Sequence, residues 1–132
     1  MLPIPLITED NEAFWTGGRD GRLLIVRCQE CGNYSHPPAP RCSVCFSANV
    51  APLPVSGRGR VYSFTINRQQ WSPELEVPYV LAVVELEEQP ELRIFTNIVG
   101  CPVDRVTIGM PVTVEFVERG SVFLPVFRPV SV

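Results

Sequence analysis

Two closely spaced pairs of cysteines constrain this chain more than any other feature of its sequence. Cys28 and Cys31 form one C-x-x-C pair, Cys42 and Cys45 form a second, and ten residues separate the two pairs. Each pair can form a tight knuckle that turns two thiolates toward one point, and four thiolates suit the tetrahedral coordination of Zn²⁺. A closed four-sulfur site leaves no position for water or substrate, so the pattern predicts one structural zinc ion.

The four cysteines could also serve in redox chemistry or bind iron. A thioredoxin-type redox pair normally lies in a βαβ unit, and no such pattern surrounds either pair. Iron bound by the same four sulfurs, as in a rubredoxin-like electron carrier, stays an alternative that its red colour would reveal. His36 lies between the pairs, but four sulfurs already fill the site. Cys101 stands alone in the sequence. A nucleophilic cysteine needs a base, and the only histidine, His36, lies in the cysteine segment. Cys101 is therefore predicted to be a bystander thiol.

Composition and charge exclude several classes of protein. Apolar residues make up 45% of the 132 residues, which argues against disorder. The 14 acidic residues outnumber the 11 basic ones, whereas a dedicated nucleic-acid binder usually shows the opposite balance. Residues 1–7 lack the basic start of a secretory leader, and no apolar run approaches the roughly 20 residues of a membrane span. We therefore expect a cytoplasmic protein, where cysteines bind metals more often than they form disulfides.

The first 55 residues predict a short helix followed by the metal-binding ribbon. Thr8 is positioned to cap the helix, and Gly17 and Gly18 are positioned to end it. Residues 23–27 and 50–55 have the composition of strands that lead into and out of the cysteine segment. That segment is rich in proline and has almost no apolar periodicity, so something other than a core must hold it together.

The second half of the chain alternates between apolar and polar residues, as half-buried strands do. Five strand-like runs occur, at residues 61–68, 79–87, 92–99, 112–116 and 122–130, and the run at 79–87 is almost wholly apolar, as in a central strand. The last run contains Pro125 and Pro129, which predicts an edge or closing strand. A single helical turn, capped by Asp104 and stopped by Gly109, fits between the third and fourth runs.

Five strands with a short helix in this position predict an OB-fold barrel, with a β-sandwich as the alternative. The fold class is therefore mostly β. We divide the chain into an N-terminal helical segment at residues 1–22, a zinc ribbon at residues 23–55 and a barrel at residues 56–132.

The order of several short motifs is similar to that of a known family, the zinc-ribbon and OB-fold proteins catalogued as domain of unknown function thirty-five. The motifs are, in chain order, Phe14-Trp15, Gly21-Arg22-Leu23, Cys28-x-x-Cys31-Gly32, Pro37-Pro38, Cys42-x-x-Cys45, Gly57-x-Gly59-x-Val61-Tyr62-Ser63-Phe64, Pro78-Tyr79-Val80 and Ile108-Gly109-Met110-x-Val112. The chain departs from the family at Phe46, where a glycine usually follows the last cysteine. It departs again at Glu88-Gln89-Pro90, which replaces a loop glycine.

This resemblance implies a rubredoxin-like ribbon, an OB-fold and an accessory, non-catalytic role. Members of the family associate with thiolase-like proteins, with aldolases of steroid side-chain breakdown or with hot-dog-fold enoyl-CoA hydratases. The resemblance thus implies a hetero-oligomer in which this chain stabilises an acyl-CoA enzyme. We expect Phe14, Trp15 and Trp71 to be exposed anchors for that partner, unless they pack internally.

Contact with coenzyme A is a further expectation. Arg60, Arg68 and Trp71 place cations beside aromatic or apolar residues at the two ends of the first barrel strand, as an adenine nucleotide requires. Gly57 and Gly59 would let a ligand approach the backbone closely. The alternative is that the arginines lie on exposed strand ends and that the glycines accommodate a strand bend.

A nucleic-acid-binding OB module is the main alternative function. Tyr62, Phe64 and Trp71 are aromatic residues of the kind that stack on bases, with Tyr62, Phe64 and Ile66 predicted to share one strand face. The acidic balance of the chain and the lack of a basic stripe argue against this alternative. We therefore expect no nucleic-acid partner and no membrane partner.

Overall fold

The computed structural model of the chain describes residues 4–70, 73 and 75–130. It contains one α-helix and eight strands among the described residues, so the chain is mostly β, as predicted. The elements are α1 (Glu12–Thr16), β1 (Leu23–Cys28), β2 (Tyr34–Ser35), β3 (Val50–Val55), β4 (Arg58–Asn67), β5 (Tyr79–Leu86), β6 (Arg93–Ile98), β7 (Pro111–Arg119) and β8 (Val122–Pro129). Two 3₁₀ turns, Gly17–Asp20 and Val103–Arg105, complete them. A membrane-spanning helix is not found in the described part of the chain.

The ribbon is a three-stranded antiparallel sheet in the order β2–β1–β3. Strand β1 is central, and its Leu23 and Ile25 are each only 1% exposed. Strand β3 contains Pro52 and Pro54, which pair with residues of β1. Proline cannot donate to a ladder, and β3 tolerates it because it is an edge strand.

The barrel closes in the order β4–β5–β6–β8–β7, which confirms the predicted five-stranded OB-fold. Its weakest join lies between β6 and β8, which are parallel and share the single registered pair Ile98–Phe127. The carbonyl of Phe127 accepts a hydrogen bond from the Val99 N–H at 2.8 Å. The carbonyl of Pro125 accepts one from the Thr96 hydroxyl at 3.1 Å. Strand β8 is therefore the closing strand, and Pro125 faces the join that has few backbone hydrogen bonds.

One hydrophobic core joins the helix, the ribbon and the barrel. Its buried residues include Phe14 of α1, Leu23 and Ile25 of β1, and Val84 and Phe127 of the barrel. The division at residues 22 and 55 stays a prediction, since side chains from all three segments pack in the same cluster.

The N-terminal helix differs from its prediction in two ways. It begins at Glu12 rather than after Thr8, and the turn before it contains a hydrogen bond from the Thr8 N–H to the Asn11 side-chain oxygen at 2.7 Å and one from the Glu12 N–H to the Thr8 carbonyl at 3.0 Å. Phe14 is 5% exposed and packs edge-on against Trp15, so it is not an exposed anchor. Trp15 is half-buried against the same core. Trp71 lies outside the described residues.

Two predictions in the barrel also need correction. A bulge between Val61 and Ser63 changes the phase of β4, so Tyr62 is exposed while Phe64 and Ile66 pack against the core. The three residues therefore do not share one face. The predicted helical turn near Asp104 is a 3₁₀ turn whose N-cap is Pro102, so Asp104 lies within the turn and does not cap it.

A side-chain amide attaches the ribbon to the barrel. The Tyr34 N–H of β2 donates to Gln89 Oε1 at 2.9 Å, and Gln89 Nε2 donates to the Tyr34 carbonyl at 3.0 Å. The amide of Gln89 thus pairs with Tyr34 as a neighbouring strand would. Glu88 adds a hydrogen bond from the Ser56 N–H to its Oε2 at 2.7 Å. The loop between β5 and β6, which sequence reasoning marked only as a departure from the family, therefore fixes the ribbon in place.

Replacing Gln89 by alanine should lower the free energy of unfolding by about 1–3 kcal/mol, because two hydrogen bonds are lost and the Tyr34 backbone groups lose their partners. Urea denaturation measures this change, and amide hydrogen exchange should become faster at Tyr34. Gln69→Ala, at an exposed glutamine, is the matched control and should change stability by less than about 0.5 kcal/mol. Wild-type stability of Gln89→Ala, with unchanged amide hydrogen exchange at Tyr34, would contradict the role of Gln89 in attaching the ribbon to the barrel.

Candidate metal centre

The structure brings the two predicted cysteine pairs together at one point. The sulfur atoms of Cys28, Cys31, Cys42 and Cys45 all lie within 4.8 Å of one another. The Cys28–Cys45 and Cys31–Cys42 sulfur distances are both 3.5 Å. Zinc–sulfur bonds of about 2.3 Å in a tetrahedron place the sulfurs about 3.8 Å apart. The four cysteines are therefore positioned to bind one metal ion.

The two knuckles have the same backbone geometry. The Gly32 N–H donates to the Cys28 carbonyl at 3.0 Å, and the Phe46 N–H donates to the Cys42 carbonyl at the same distance. Gly32 has a φ of +80° and Phe46 has a φ of +62°. Phe46 therefore adopts the left-handed conformation that glycine adopts in the first knuckle.

That conformation is costly for phenylalanine. A Cβ in the left-handed region lies too close to the following carbonyl, at a cost of roughly 1–2 kcal/mol. The departure from glycine noted in the sequence thus leaves the turn intact and places strain in its backbone.

The electrostatics of the sulfur cluster favour a bound cation. Backbone N–H groups of Cys45 and Val44 point at Cys42 and lower the pKa of its thiol to about 6. The Ser47 N–H lowers the pKa of Cys45, but the hydrogen-bonded sulfurs of Cys28 and its other neighbours outweigh it and raise that pKa to about 12. Four thiolates at this spacing repel one another, so full ionisation of the cluster requires a positive ion at its centre.

The remaining histidine and cysteine lie apart from this cluster. The ring of His36 packs against the ring of Phe14 at a tilt of 39°, with their centroids 4.7 Å apart. Burial lowers the pKa of His36 to about 4, so the imidazole is neutral at physiological pH. Cys101 is partly buried and packs against the core. Neither residue belongs to the metal-ligating group found in the described part of the chain.

Arg60 and Arg68, two of the three residues predicted to contact coenzyme A, are not brought together, and Trp71 lies outside the described residues. Arg60 lies near the start of β4, and Arg68 follows its end, so about 26 Å of strand separates them. Arg60 Nη1 donates to the Gly109 carbonyl at 2.9 Å. It also lines a cavity of about 410 Å³ whose other walls include Arg58, Leu86 and Pro111. Arg68 is exposed.

The two glycines at the start of β4 have a structural role. A Cβ at Gly59 would lie 2.4 Å from the Glu85 carbonyl oxygen, and one at Gly57 would lie 2.3 Å from a methyl carbon of Val114. Both glycines therefore allow close packing between barrel strands. Gly59 also lines the cavity beside Arg60, so the approach of a ligand to its backbone stays a prediction.

A rubredoxin-like zinc ribbon followed by an OB-fold barrel defines the class of this protein. Residues 15–51 match the family model described as the ChsH2 rubredoxin-like zinc ribbon domain, and residues 53–117 match that of the ChsH2 C-terminal OB-fold domain. The chain belongs to the ChsH2 family of DUF35 proteins, which confirms the resemblance seen in the sequence.

Several relatives are subunits or scaffolds by name. A probable enoyl-CoA hydratase alpha subunit of Thermomonospora curvata is 40% identical over 98% of this chain and 40% of its own length. A DUF35 domain-containing scaffold protein of Pyrococcus furiosus is 32% identical over 89% of this chain and 90% of its own. The benzoylsuccinyl-CoA thiolase subunit BbsA of Thauera aromatica is 33% identical over 64% and 57%. The chain thus spans about two fifths of the Thermomonospora protein.

A solved structure is similar over nearly the whole chain. One chain of the Ltp2-ChsH2(DUF35) aldolase superimposes with a TM-score of 0.84 and is 41% identical. The match covers 96% of this chain and 98% of that one. The fold and the family are therefore shared across both the ribbon and the barrel.

Purified protein should contain about one zinc ion per chain, because the four thiolates form one closed site. Cys31→Ser and Cys45→Ser should lose the metal and lower solubility, and Cys101→Ser is the control that should retain both. Elemental analysis gives the stoichiometry, and a colourless protein distinguishes zinc from ferric iron. Metal-free wild-type protein, purified without chelator, would refute the site.

Proposed function

We propose that this chain is an accessory, non-catalytic subunit of an acyl-CoA enzyme, in a hetero-oligomer with an aldolase, thiolase-like or hydratase-like subunit. The observation that carries the proposal is the likeness, over 96% of the chain, to one component of the Ltp2-ChsH2 aldolase. The names of the hydratase and thiolase subunits among the relatives support the same class of partner.

The chemistry of the described residues supports a non-catalytic role. The closed sulfur cluster, with its four cysteines as proposed zinc ligands, offers no open coordination position. His36 is the only histidine, and its Nδ1 is buried without a hydrogen-bond partner against the ring of Phe14. A general base works best when its pKa is near the operating pH, and burial lowers the pKa of His36 to about 4.

The nucleic-acid alternative gains no support from the structure. Phe64 packs against the core, and the guanidinium of Arg93 covers the Tyr62 ring at 3.8 Å. A stacking platform needs several free aromatic faces beside a basic groove. The proposed partner is therefore a protein subunit.

We also propose that this chain contacts the acyl-CoA of its partner. The cavity beside Arg58 and Arg60 combines two guanidinium groups with an apolar wall, as a nucleotide phosphate beside an apolar group requires. Glu87 Oε1 lies 3.4 Å from Arg58 Nε, so Arg58 already has an acidic partner. Arg60 is therefore the better hydrogen-bond donor to a phosphate. Arg68 and Trp71 stay as a second, separate proposed contact beyond the other end of β4.

Co-expression with the thiolase-like or hydratase-like protein encoded beside this chain should give one species that co-elutes in size-exclusion chromatography. The same partner expressed alone should be less soluble or less active, because it lacks the subunit that completes it. A partner that is fully soluble and active alone, and that elutes separately from this chain, would refute the proposed function.

Arg60→Ala should weaken acyl-CoA binding to the assembled complex by at least about tenfold, since a charge-assisted hydrogen bond contributes about 1.5–3 kcal/mol. Titration calorimetry measures the affinity, with Arg68→Ala and Trp71→Ala testing the second contact. Arg22→Ala, at an exposed arginine outside the cavity, is the control. Unchanged affinity and turnover in all three variants would remove these residues from the site and leave the stabilising role.

A further inference from the structure

The tip of the second cysteine knuckle exposes two large apolar side chains. Val44 is 64% exposed and Phe46 is 71% exposed, on either side of the exposed Cys45. We call Val44 and Phe46 the knuckle tip. The first knuckle carries Glu30 and Gly32 at the matching positions, so an apolar tip is a property of the second knuckle alone.

The backbone conformation of Phe46 is strained, and the same conformation would not be strained in glycine. Its φ of +62° lies in the region that favours glycine, and its counterpart Gly32 occupies the same region. Bulky residues rarely adopt this conformation, and such outliers concentrate at functional positions. The ring of Phe46 takes part in none of the aromatic or core contacts found in the described residues, so hydrogen bonds of the knuckle backbone, and not packing of the ring, hold this conformation.

The knuckle presents this side chain on a rigid support. Cys42 and Cys45 flank the tip and belong to the sulfur cluster. Arg41 Nη1 donates to the Phe46 carbonyl at 3.1 Å and closes the turn across its base. A preorganised aromatic residue loses little conformational entropy on binding, and such residues are the usual anchors of protein interfaces.

The surroundings of the tip define the chemistry of its partner. Residues 37–49 contain one charged side chain, Arg41, which uses one of its five N–H donors on the Phe46 carbonyl. Val44 also borders a mostly polar cavity of about 490 Å³ between the ribbon and the loop after β5, whose walls include Arg41, Pro90 and Glu91, so the apolar surface is confined to the tip itself. The complementary surface is therefore an apolar pocket with an oxygen acceptor at its rim.

We propose that the knuckle tip is the anchor by which this chain docks onto its acyl-CoA enzyme subunit. Phe46 inserts into an apolar pocket of that subunit, and a carboxylate or carbonyl of the subunit pairs with Arg41. The inference rests on the proposed function, and it assigns the docking surface to the ribbon rather than to the outer face of the barrel.

Phe46→Gly should have opposite effects on the isolated chain and on the complex. The melting temperature of the isolated chain should rise by about 3–6 °C, because the strain is relieved. Affinity for the co-expressed thiolase-like or hydratase-like subunit, measured by biolayer interferometry, should fall by at least about tenfold, because the anchor is gone. Phe46→Leu keeps an apolar side chain and should retain affinity within about threefold.

Phe95→Ser is the matched control, because Phe95 is 86% exposed on the outer face of the barrel. It should leave the affinity unchanged. Wild-type affinity in Phe46→Gly, or a loss of affinity confined to Phe95→Ser, would overturn the docking role of the knuckle tip while leaving the proposed function intact. A wild-type chain that binds neither type of subunit would instead overturn the proposed function, and the inference with it.

Discussion

The sulfur cluster of the ribbon is the constraint on which the rest of this structure depends. Among residues 29–49, Cys42 alone is buried, so this segment has almost no hydrophobic core of its own. Structural zinc sites supply roughly 10–16 kcal/mol of binding free energy, which can replace the missing core. A zinc ion bound by the four cysteines cross-links the two knuckles, which have the same backbone geometry. This cross-link allows the second knuckle to hold Phe46 in a conformation that glycine would prefer.

The ribbon in turn has a fixed position on the barrel. Leu23 and Ile25 share the core that contains Phe127, and the Gln89 amide pairs with both backbone groups of Tyr34. Apolar packing gives this attachment its strength, and the two hydrogen bonds give it direction. A unit of this kind can offer one continuous surface that includes both the knuckle and the barrel.

This arrangement suits a protein that acts through its surface. The sulfur cluster is closed, the single histidine is neutral and packed against Phe14, and atoms of neighbouring strands lie where Gly57 and Gly59 would otherwise carry a Cβ. Among the exposed features of the described residues, the cavity beside Arg60 and the apolar knuckle tip have no internal role. Both are where a partner subunit or its acyl-CoA would bind in the proposed complex, and the family relatives are named as subunits and scaffolds.

The sequence by itself determined which four cysteines are positioned to bind a metal ion, the mostly β class and the five barrel strands, because spacing and alternation are local properties of the chain. It left open whether β8 is an edge strand or a closing strand. It did not determine the burial of Phe14, the phase change at Tyr62 or the closely packed glycines, since each depends on a strand or helix distant in sequence. Gln89 is the clearest case. Its partner Tyr34 lies 55 residues away, and a glutamine in a loop has no local pattern that reveals such a partner. Only the tertiary structure, by placing that loop against β2, decided how the ribbon and the barrel are joined.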